Sequence, residues 1–276
     1  MPLWVPNKGD LLTESNLSAT GSASHGTAVQ TGASSSTKGT PVELIASTSF
    51  DAFWVEIFAE GYAGNAVASQ GCLDILVGAS TEDILIADLL FGNCGGALTQ
   101  QTGPKRWLFP LYIPAGTRIA AQAAGSRVST NFDVGIKLYG GRGYPDCKIG
   151  SRVTTYGIGT VPSGTVIVPG GSGAQGSWTQ ITASTTEDHF CLVPSFQFND
   201  TTFTAIGVYR VGIGCGSATE ELLDAFTYFT QATESMDGPH EAFPAIQNIP
   251  ASTRLVMRAS SSVAVNTSNG AIHAVS

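Results

Sequence analysis

The sequence predicts an all-β chain: two tandem, duplicated, jelly-roll-like antiparallel β-sandwich domains preceded by an extended N-terminal arm. Three observations favour this fold class: a low content of charged residues, an internal repeat, and short segments in which apolar and polar residues alternate. The chain has 276 residues, which suffices for one large domain or for two of ordinary size.

Composition is the first observation. Hydrophobic residues make up 42% of the chain, close to the share in ordinary globular proteins, so each half can bury a core. Charged residues make up only 12%, about half of the usual share. Exposed helix faces are normally filled by Lys, Glu, Arg and Gln, whereas hydroxyl-bearing residues and glycine suit strands and turns. The composition therefore indicates a β protein.

The internal repeat is the second observation. Residues 109–122 read FPLYIPAGTRIAAQ and residues 243–258 read FPAIQNIPASTRLVMR, so both hold Phe-Pro and then Ile-Pro-Ala-x-Thr-Arg. Residues 44–55 and 180–193 also match, with Ala-Ser-Thr in each. The offset between matching positions stays between 134 and 138. A period above roughly 100 residues indicates duplicated domains and not a solenoid.

The repeat divides the chain into four predicted parts. Residues 26–140 form the first β-sandwich domain and residues 164–276 form the second, a repeat of the first. Residues 1–25 begin with apolar and proline residues and then become small and polar, which is typical of an extended arm on a neighbouring subunit or of a frayed tail. Residues 141–163 are rich in Gly and Pro, which indicates a connector.

Alternation of apolar and polar residues is the third observation. Residues 53–58 and 131–140 alternate with a period of two, as a strand with one buried face does. Two related stretches are ambiguous, TEDILIADLL at 81–90 and ATEELLDAFTYF at 218–229. The second follows a capping-box spacing, so each is either a short helix or a strand, with the strand slightly favoured.

Residues shared by the two copies predict a turn and an ion pair. Ile-Pro-Ala-Gly at 113–116 suits a type I turn with Pro at its second position, which then leads into a strand. Glu82 and Arg118 in the first copy correspond to Glu220 and Arg254 in the second. Because charges are scarce here, their retention predicts an internal ion pair or strut below each turn; the alternative is two solvated charges.

Charge and hydropathy argue against several partners. The net charge of −8 and a pI near 4.9 disfavour binding to nucleic acid, since phosphate contacts need clustered Lys and Arg, and they also disfavour anionic membranes. No segment approaches the roughly 18 consecutive apolar residues of a transmembrane helix, so no membrane association is expected. Unclustered cysteines, odd in number, indicate buried free thiols in a reducing cytosol rather than disulfides or metal ligands; they are Cys72, Cys94, Cys147, Cys191 and Cys215.

No catalytic arrangement emerges from the sequence. The four histidines share no spacing with one another or with acidic pairs, so we expect surface or loop positions for His25, His189, His240 and His273. Acidic residues such as Asp51, Asp74, Glu82 and Asp83 give no paired-carboxylate spacing. Nucleophile elbows, phosphate loops and dinucleotide motifs are missing from the sequence. We therefore expect no enzyme, no catalytic, cofactor-binding or metal-binding residues, and no cofactor.

The repeated motifs carry a resemblance to a known class of proteins. GTAVQTG, TKGTPVELIASTSFDAFWVEI, LDILVGASTEDILIADLLFG and FPLYIPAGTRIAAQ together resemble a type of virion structural protein of tailed bacteriophages. The likeness covers the first copy well and the second more loosely. It implies β-sandwich modules attached to the virion as capsid decoration, head fibre, or part of the tail or its fibres, and it carries no functional residues.

Two functions follow as hypotheses. The first is a structural component of a tailed-phage virion that forms homo-oligomers and docks its N-terminal segment, including Trp4, on other virion proteins. The second is a module that binds glycan on a host surface, with Trp107, Trp178 and Tyr144 as candidates for stacking on sugars. Packing in the interior is the alternative role for each of these aromatic residues.

Overall fold

A computed structural model of the chain describes residues 12–17, 26–61, 69–78, 83–93, 105–126, 128–141, 148–171, 173–198, 207–217, 219–231, 235–237, 240–242, 245–262 and 267–276. All regular structure in these residues is β-strand, which confirms the predicted all-β class. Both ambiguous stretches form strands, over residues 83–90 in the first and 221–229 in the second. None of the described residues belongs to a helix that could cross a membrane.

The strands in chain order are β1 Leu12–Ser15, β2 Thr27–Gln30, β3 Val42–Ile45, β4 Ala52–Gly61, β5 Ser69–Val77, β6 Asp83–Asn93, β7 Lys105–Phe109, β8 Ile119–Gly125, β9 Asn131–Gly140, β10 Val153–Tyr156, β11 Ile158–Thr160, β12 Ser163–Ile167, β13 Thr179–Thr182, β14 His189–Phe198, β15 Gly207–Cys215, β16 Glu221–Gln231, β17 Ser235–Asp237, β18 His240–Ala242, β19 Ala245–Ile249, β20 Leu255–Ser261 and β21 Ser268–Val275.

Sandwich one consists of two sheets. Sheet 1 has the order β1-β9-β4-β7-β18, with β2 also paired to β9, and sheet 2 has the order β3-β8-β5-β6. From β2 to β9 the chain changes sheet at every step except the β5–β6 hairpin, which is the strand order of a jelly roll.

Sandwich two repeats this arrangement. Sheet 3 has the order β11-β12-β21-β14-β19, with β10 also paired to β21, and sheet 4 has the order β13-β20-β15-β16-β17. The strands β12, β21, β14 and β19 match β2, β9, β4 and β7, while β13, β20, β15 and β16 match β3, β8, β5 and β6. Two jelly-roll sandwiches therefore follow each other along the chain, as the sequence predicts.

The two segments that the sequence leaves outside the repeat contribute matching strands. In the predicted arm, β1 pairs with the end of β9 through Ser15 and Lys137, within its own chain. In the predicted connector, β10 pairs with the end of β21 through Thr155 and His273 at the corresponding register. The part of the connector from residue 148 onward thus belongs to sandwich two and is not a linker. Residues 1–11, with Trp4, lie outside the described residues.

Each sandwich encloses an apolar cluster, and the first cluster extends beyond its own unit. Val55 and Ile57 of β4 and Leu73 of β5 belong to the sandwich-one cluster. Leu192 and Phe196 of β14 belong to the separate sandwich-two cluster. The sandwich-one cluster also takes in residues of sandwich two, namely Phe190, Cys191, Val193 and Val275. Cys191, Leu192 and Val193 of β14 therefore face the two cores alternately, as the alternation of side chains along a strand requires.

Strand β18 connects the two sandwiches a second time, because a segment from the sandwich-two part of the chain joins a sheet of sandwich one. β18 lies between β16 and β19 in the sequence of sandwich two, but it pairs in parallel with β7 of sandwich one. It thereby occupies the edge of sheet 1.

Candidate functional site

The sandwiches meet where the outer face of sheet 3 packs against β6, the edge strand of sheet 2; we call this contact the joint. Cys72 of β5 and Leu90 of β6 form a buried apolar cluster there with Ala271 of β21. Gly164 of β12 lies so close that an added Cβ would be 2.5 Å from Leu90 Cδ1. The joint therefore leaves no room for a side chain at residue 164 and is packed there as tightly as an interior.

A chain of hydrogen bonds, which we call the relay, crosses the joint, and both of its ends lie on backbone groups of β6. Thr155 Oγ1 donates to the carbonyl oxygen of Ala87 at 2.9 Å, so it accepts from His273 Nδ1 at 3.1 Å. With its hydrogen on Nδ1, His273 accepts at Nε2 from Ser195 Oγ at 2.7 Å. Ser195 Oγ accepts in turn from the backbone N–H of Leu90 at 3.0 Å. The relay thus satisfies an N–H and a C=O of edge strand β6.

The pair of Ser195 and His273 has the spacing of a nucleophile and its base, but its environment excludes that chemistry. Ser195 is 1% exposed and His273 is 0% exposed, so no substrate reaches either side chain. Burial lowers the pKa of His273 to about 3, against a weak opposing effect of Asp88, and the imidazole is neutral at pH 7. The pair therefore serves the packing of the joint.

The histidine prediction is wrong for two of the four residues. His273 lies within β21 and His189 begins β14, and both are fully buried. His189 Nε2 lies 3.0 Å from the hydroxyl of Tyr156, and burial lowers its pKa. His25 lies outside the described residues, and only the strand position of His240 is described. Each buried histidine is held in the interior by a hydroxyl partner.

A second polar cluster lies on the outer face of sheet 2, beside the joint. Lys38 Nζ is 2.6 Å from Asp74 Oδ1 and 2.7 Å from Asp88 Oδ1. Asp74 also accepts from the Asp88 N–H at 2.8 Å and from Gln122 Nε2 at 2.7 Å. Asp88 has a φ of 54° and sits where the β5–β6 register shifts, so a β-bulge directs it toward Asp74.

The ionisation of this cluster is that of a structural ion pair. Burial acts to lower the pKa of Lys38, but Cys72, Asp74 and Asp88 around it raise that pKa above its usual value. Burial raises the pKa of the Cys72 thiol to about 12, so it is not a thiolate at neutral pH. Lys38 therefore holds both carboxylates in place through charge-assisted hydrogen bonds.

The cysteines within the described residues are free, as the sequence predicts. Cys72 and Cys191 are buried and Cys215 is half-buried. Burial also raises the pKa of Cys191 to about 12. Cys94 and Cys147 lie outside the described residues.

The predicted strut is confirmed in sandwich two. Arg254 Nη1 lies 2.8 Å from Glu220 Oε1 and also donates to the Gly216 carbonyl at 3.0 Å. In sandwich one, Glu82 lies outside the described residues. Arg118 of sandwich one pairs with Glu43, with Nε and Oε2 2.8 Å apart, and it donates to the Gly78 carbonyl at 3.3 Å.

The repeated Ile-Pro motif forms the same hydrogen bonds in both sandwiches. Thr48 Oγ1 donates to the Pro114 carbonyl at 2.7 Å, and Thr185 Oγ1 donates to the Pro250 carbonyl at 2.9 Å. Below each turn an aspartate, Asp51 or Asp188, accepts from the backbone N–H of the alanine after the proline. The repeated residues therefore build a turn and not a reactive site.

The turn itself differs from the prediction by one position. The turn residues are 115–116 and 251–252, and the second of each pair has a positive φ, 80° at Gly116 and 67° at Ser252. A positive φ at the third position is required by a type II turn, so the predicted type I turn is wrong. The reason is that Pro114 starts the turn instead of occupying its second position.

The outer face of sheet 1 is the counterpart of the face that sheet 3 uses in the joint. It carries Trp54, Phe58 and Leu108, all of which remain partly exposed. Among them Glu56, 1% exposed, accepts hydrogen bonds from Arg106 and Tyr139. We call these residues, together with Lys137, the aromatic face.

Two of the three aromatic residues predicted as sugar-stacking candidates are described, and of these two Trp178 keeps a partly exposed ring. Trp107 is 3% exposed and packs in the core of sandwich one, and Tyr144 lies outside the described residues. Trp178 is half-buried on sheet 4, and the Arg258 guanidinium carbon lies 4.2 Å from its ring centroid. A sugar that stacked on this side of the ring would have to displace Arg258.

The described part of the chain contains no group of three or more His, Cys, Asp or Glu side chains that could hold a metal ion. No protein-family model and no curated protein matches the chain.

Several solved structures share the architecture at low similarity. PNGF-II is 10% identical with a TM-score of 0.38, over 97% of this chain and 66% of that protein. The STIV MCP, a viral capsid jelly-roll protein, is 11% identical with a TM-score of 0.31, over 97% of this chain and 96% of that one. The CBM22-1–CBM22-2 tandem domain of Xyn10C from Paenibacillus barcinonensis is 11% identical with a TM-score of 0.24, over 98% and 95%. Likenesses at this level carry no argument about function.

Proposed function

We propose that the chain is a non-enzymatic structural component of a tailed-phage virion: a capsid decoration, a head fibre, or a protein of the tail or its fibres. It is assembled in the host bacterial cytoplasm and resides in the virion. It acts by forming homo-oligomers and by docking on other virion proteins.

The observation that carries the proposal is that side chains of types often used in catalysis make structural contacts in this chain. Ser195 and His273 are sealed in the joint, and the carboxylates of Asp74 and Asp88 are held by Lys38. These groups, which elsewhere perform chemistry, here fix one rigid double sandwich. A rigid body with a partly exposed aromatic face suits an assembly subunit.

The test is the composition of purified particles. Mass spectrometry and antibody labelling of particles of the phage that encodes the chain should find the protein in stoichiometric amounts. Removal of residues 1–11, which leaves β1 in place, should produce particles that lack it. Particles that never contain the full-length protein would refute the proposal, whereas particles that keep the truncated protein would refute only the anchoring role of that segment.

A host-surface glycan-binding role is the second candidate, and the partly exposed ring of Trp178 is the observation that favours it. A glycan array probed with the wild-type chain should then show binding that Trp178→Ala abolishes. Trp107→Phe, which alters a buried ring, should leave that binding unchanged. A blank array removes this candidate.

A further inference from the structure

The outer face of sheet 4 carries two neighbouring arginines, and we call it the arginine face. Arg210 of β15 is exposed between two buried residues, so its side chain points away from the core. Arg258 of β20 lies opposite Gly212, and Arg210 lies opposite Ser260. The two arginines are therefore diagonal neighbours on one face of the sheet, a spacing across which long side chains reach each other or a common ligand.

Neither arginine is neutralised by its surroundings. Among the described residues, no carboxylate forms an ion pair with Arg210 or Arg258, and neither guanidinium donates a hydrogen bond. Arg254, just before β20, lies by contrast 2.8 Å from a carboxylate oxygen of Glu220. The chain has 13 basic and 21 acidic residues, so two adjacent cations without a carboxylate stand out from the rest of its surface. The charge of the arginine face complements an anion.

The matching face of sandwich one is neutralised within the chain. The registers of the two sheets place Asp74 where sandwich two has Gly212. They place Gln122 where sandwich two has Arg258. Asp74 holds the ammonium group of Lys38 at 2.6 Å. Sandwich two has therefore lost the carboxylate at this place and has an arginine directly across from it.

An aromatic ring holds Arg258 in place. The guanidinium carbon lies over the Trp178 ring, 4.2 Å from its centroid, a contact that orients the guanidinium and leaves its N–H groups unpaired. Glycines beneath let the flanking side chains lie close to the sheet. A Cβ added at Gly214 would be 2.8 Å from Trp178 Cη2, and one added at Gly212 would be 2.9 Å from Leu222 Cδ1. The face thus combines an oriented guanidinium with an apolar side chain on each flank.

We propose that the arginine face binds an acidic glycan through the carboxylate of a uronic or sialic acid. A guanidinium binds a carboxylate through two parallel N–H groups, a geometry that a neutral hydroxyl does not match. The C–H groups of the sugar contact Leu222 and the exposed part of Trp178, so Arg258 is not displaced. This inference rests on the proposed glycan-binding role and specifies the class of glycan.

The size of the site favours a sugar over an acidic protein partner. Two arginines, one indole ring and one leucine, 42% exposed, match a single sugar residue. A specific contact between proteins covers roughly 800 Å² on each partner. The net charge of −8 works against anions at long range, so binding depends on the local contacts of the arginine face.

The test compares the same glycans in two forms. An array carries glycans that end in a uronic or sialic acid beside carboxyl-reduced forms, in which the carboxylate has become a neutral alcohol. The wild-type chain should bind the acidic form, and its affinity for the reduced form should be at least about tenfold lower. Titration calorimetry of the best pair measures that ratio, and the comparison needs no variant of the protein.

Variants locate the binding on the arginine face. Arg258→Gln should weaken binding by about tenfold or more, because it removes the charged donors. Arg258→Lys, which keeps the charge but not the paired N–H groups, should weaken it by roughly threefold or more. Arg152→Gln removes an exposed arginine elsewhere in sandwich two and should bind like wild type. Circular dichroism and thermal unfolding establish that the three variants are folded.

Equal binding of the acidic and reduced glycans, or unchanged affinity in Arg258→Gln, would overturn the inference. A sulfated glycan bound as tightly as the carboxylated one would also overturn it, because recognition would then follow charge alone. A glutamate-rich peptide bound as tightly would point to a protein partner and overturn it as well.

The failure of this inference is distinguishable from the failure of the proposed functions. If neutral glycans bind and Trp178→Ala abolishes that binding, the glycan-binding role stands and the acidic sugar is wrong. A blank array removes both the glycan-binding role and this inference. Particle composition still decides the structural role in the virion in either case.

Discussion

The outer faces of sheet 1 and sheet 3 occupy matching places in the two sandwiches, yet their residues differ in kind. Glu56 opposes Lys137 across β4 and β9, whereas Val193 opposes His273 at the matching place across β14 and β21. Every residue of β21 is buried, while β9 keeps partly exposed residues, among them Lys137 and Tyr139. Core-facing positions such as Val55 and its match Leu192 stay apolar in both copies. A duplicated module therefore keeps its interior and changes the face that meets a neighbour.

Exchanging residues between the matching positions should give the largest effect. Val193→Glu places a carboxylate in the joint without the arginine and tyrosine that hold Glu56, and should lower the free energy of unfolding by about 4 kcal/mol or more. The reverse change, Glu56→Val, should lower it by only about 1 kcal/mol, because water can solvate the freed arginine. Urea unfolding measures both. Equal losses would mean that the two faces are equally buried.

The pH dependence of stability should be the next largest effect. The pKa of His273 is about 3 in the folded chain and near 6.5 when unfolded, so protons bind the unfolded state first as the pH falls. The stabilisation is complete above pH 6.5 and is lost as the pH falls toward 3. Between pH 7 and pH 4, wild type should lose about 3 kcal/mol more than His273→Gln. Parallel pH profiles for the two proteins would contradict the prediction.

Removing one hydroxyl from the relay should have a moderate effect. Ser195→Ala leaves the buried Leu90 N–H without its acceptor and should lower the free energy of unfolding by about 2 kcal/mol. Ser184→Ala, at an exposed position, is the control and should change stability by less than about 0.5 kcal/mol. Chemical denaturation measures both. A loss at Ser195 no larger than at Ser184 would show that the relay adds nothing to stability.

The smallest effect is expected at the paired turns, and its sign should differ between the sandwiches. Gly116 and Ser252 both have a positive φ, which glycine adopts without strain. Gly116→Ala should therefore destabilise by about 1 kcal/mol, and Ser252→Gly should stabilise by up to about 1 kcal/mol. The melting temperatures of the two variants should shift in opposite directions. A shift in the same direction would exclude backbone strain as the cause.

Residues retained in both copies made part of the structure predictable. The Ile-Pro-Ala-x-Thr-Arg motif located equivalent turns, and Glu220 with Arg254 was found as a pair because both charges had counterparts in the first copy. The period of two in β4 and β9 indicated strands facing a core. These signals come from residues that are close together in the sequence. Their spacing matches the repeat of a strand or the geometry of a turn, so they can be recognised without knowledge of long-range contacts.

Features that depend on contact between the sandwiches were not predictable in this way. His273 was expected at the surface because its burial comes from sheet 2, far away in the sequence. The cluster around Lys38 has no counterpart to reveal it, since Asp74 and Gln122 correspond to Gly212 and Arg258. The match between β1 and β10 was missed because LTES and VTTY share only the pairing register, not their residues.

The position of β18 has a consequence for chain integrity. The chain passes once from sandwich one to sandwich two, and the later strand β18 then pairs with β7 of sandwich one. A protease that severed the chain between residues 141 and 148 would thus not release either half, since the returning strand and the interlocked joint would still bind them. The nicked molecule should migrate as two fragments under denaturing electrophoresis yet elute as a single species under native conditions.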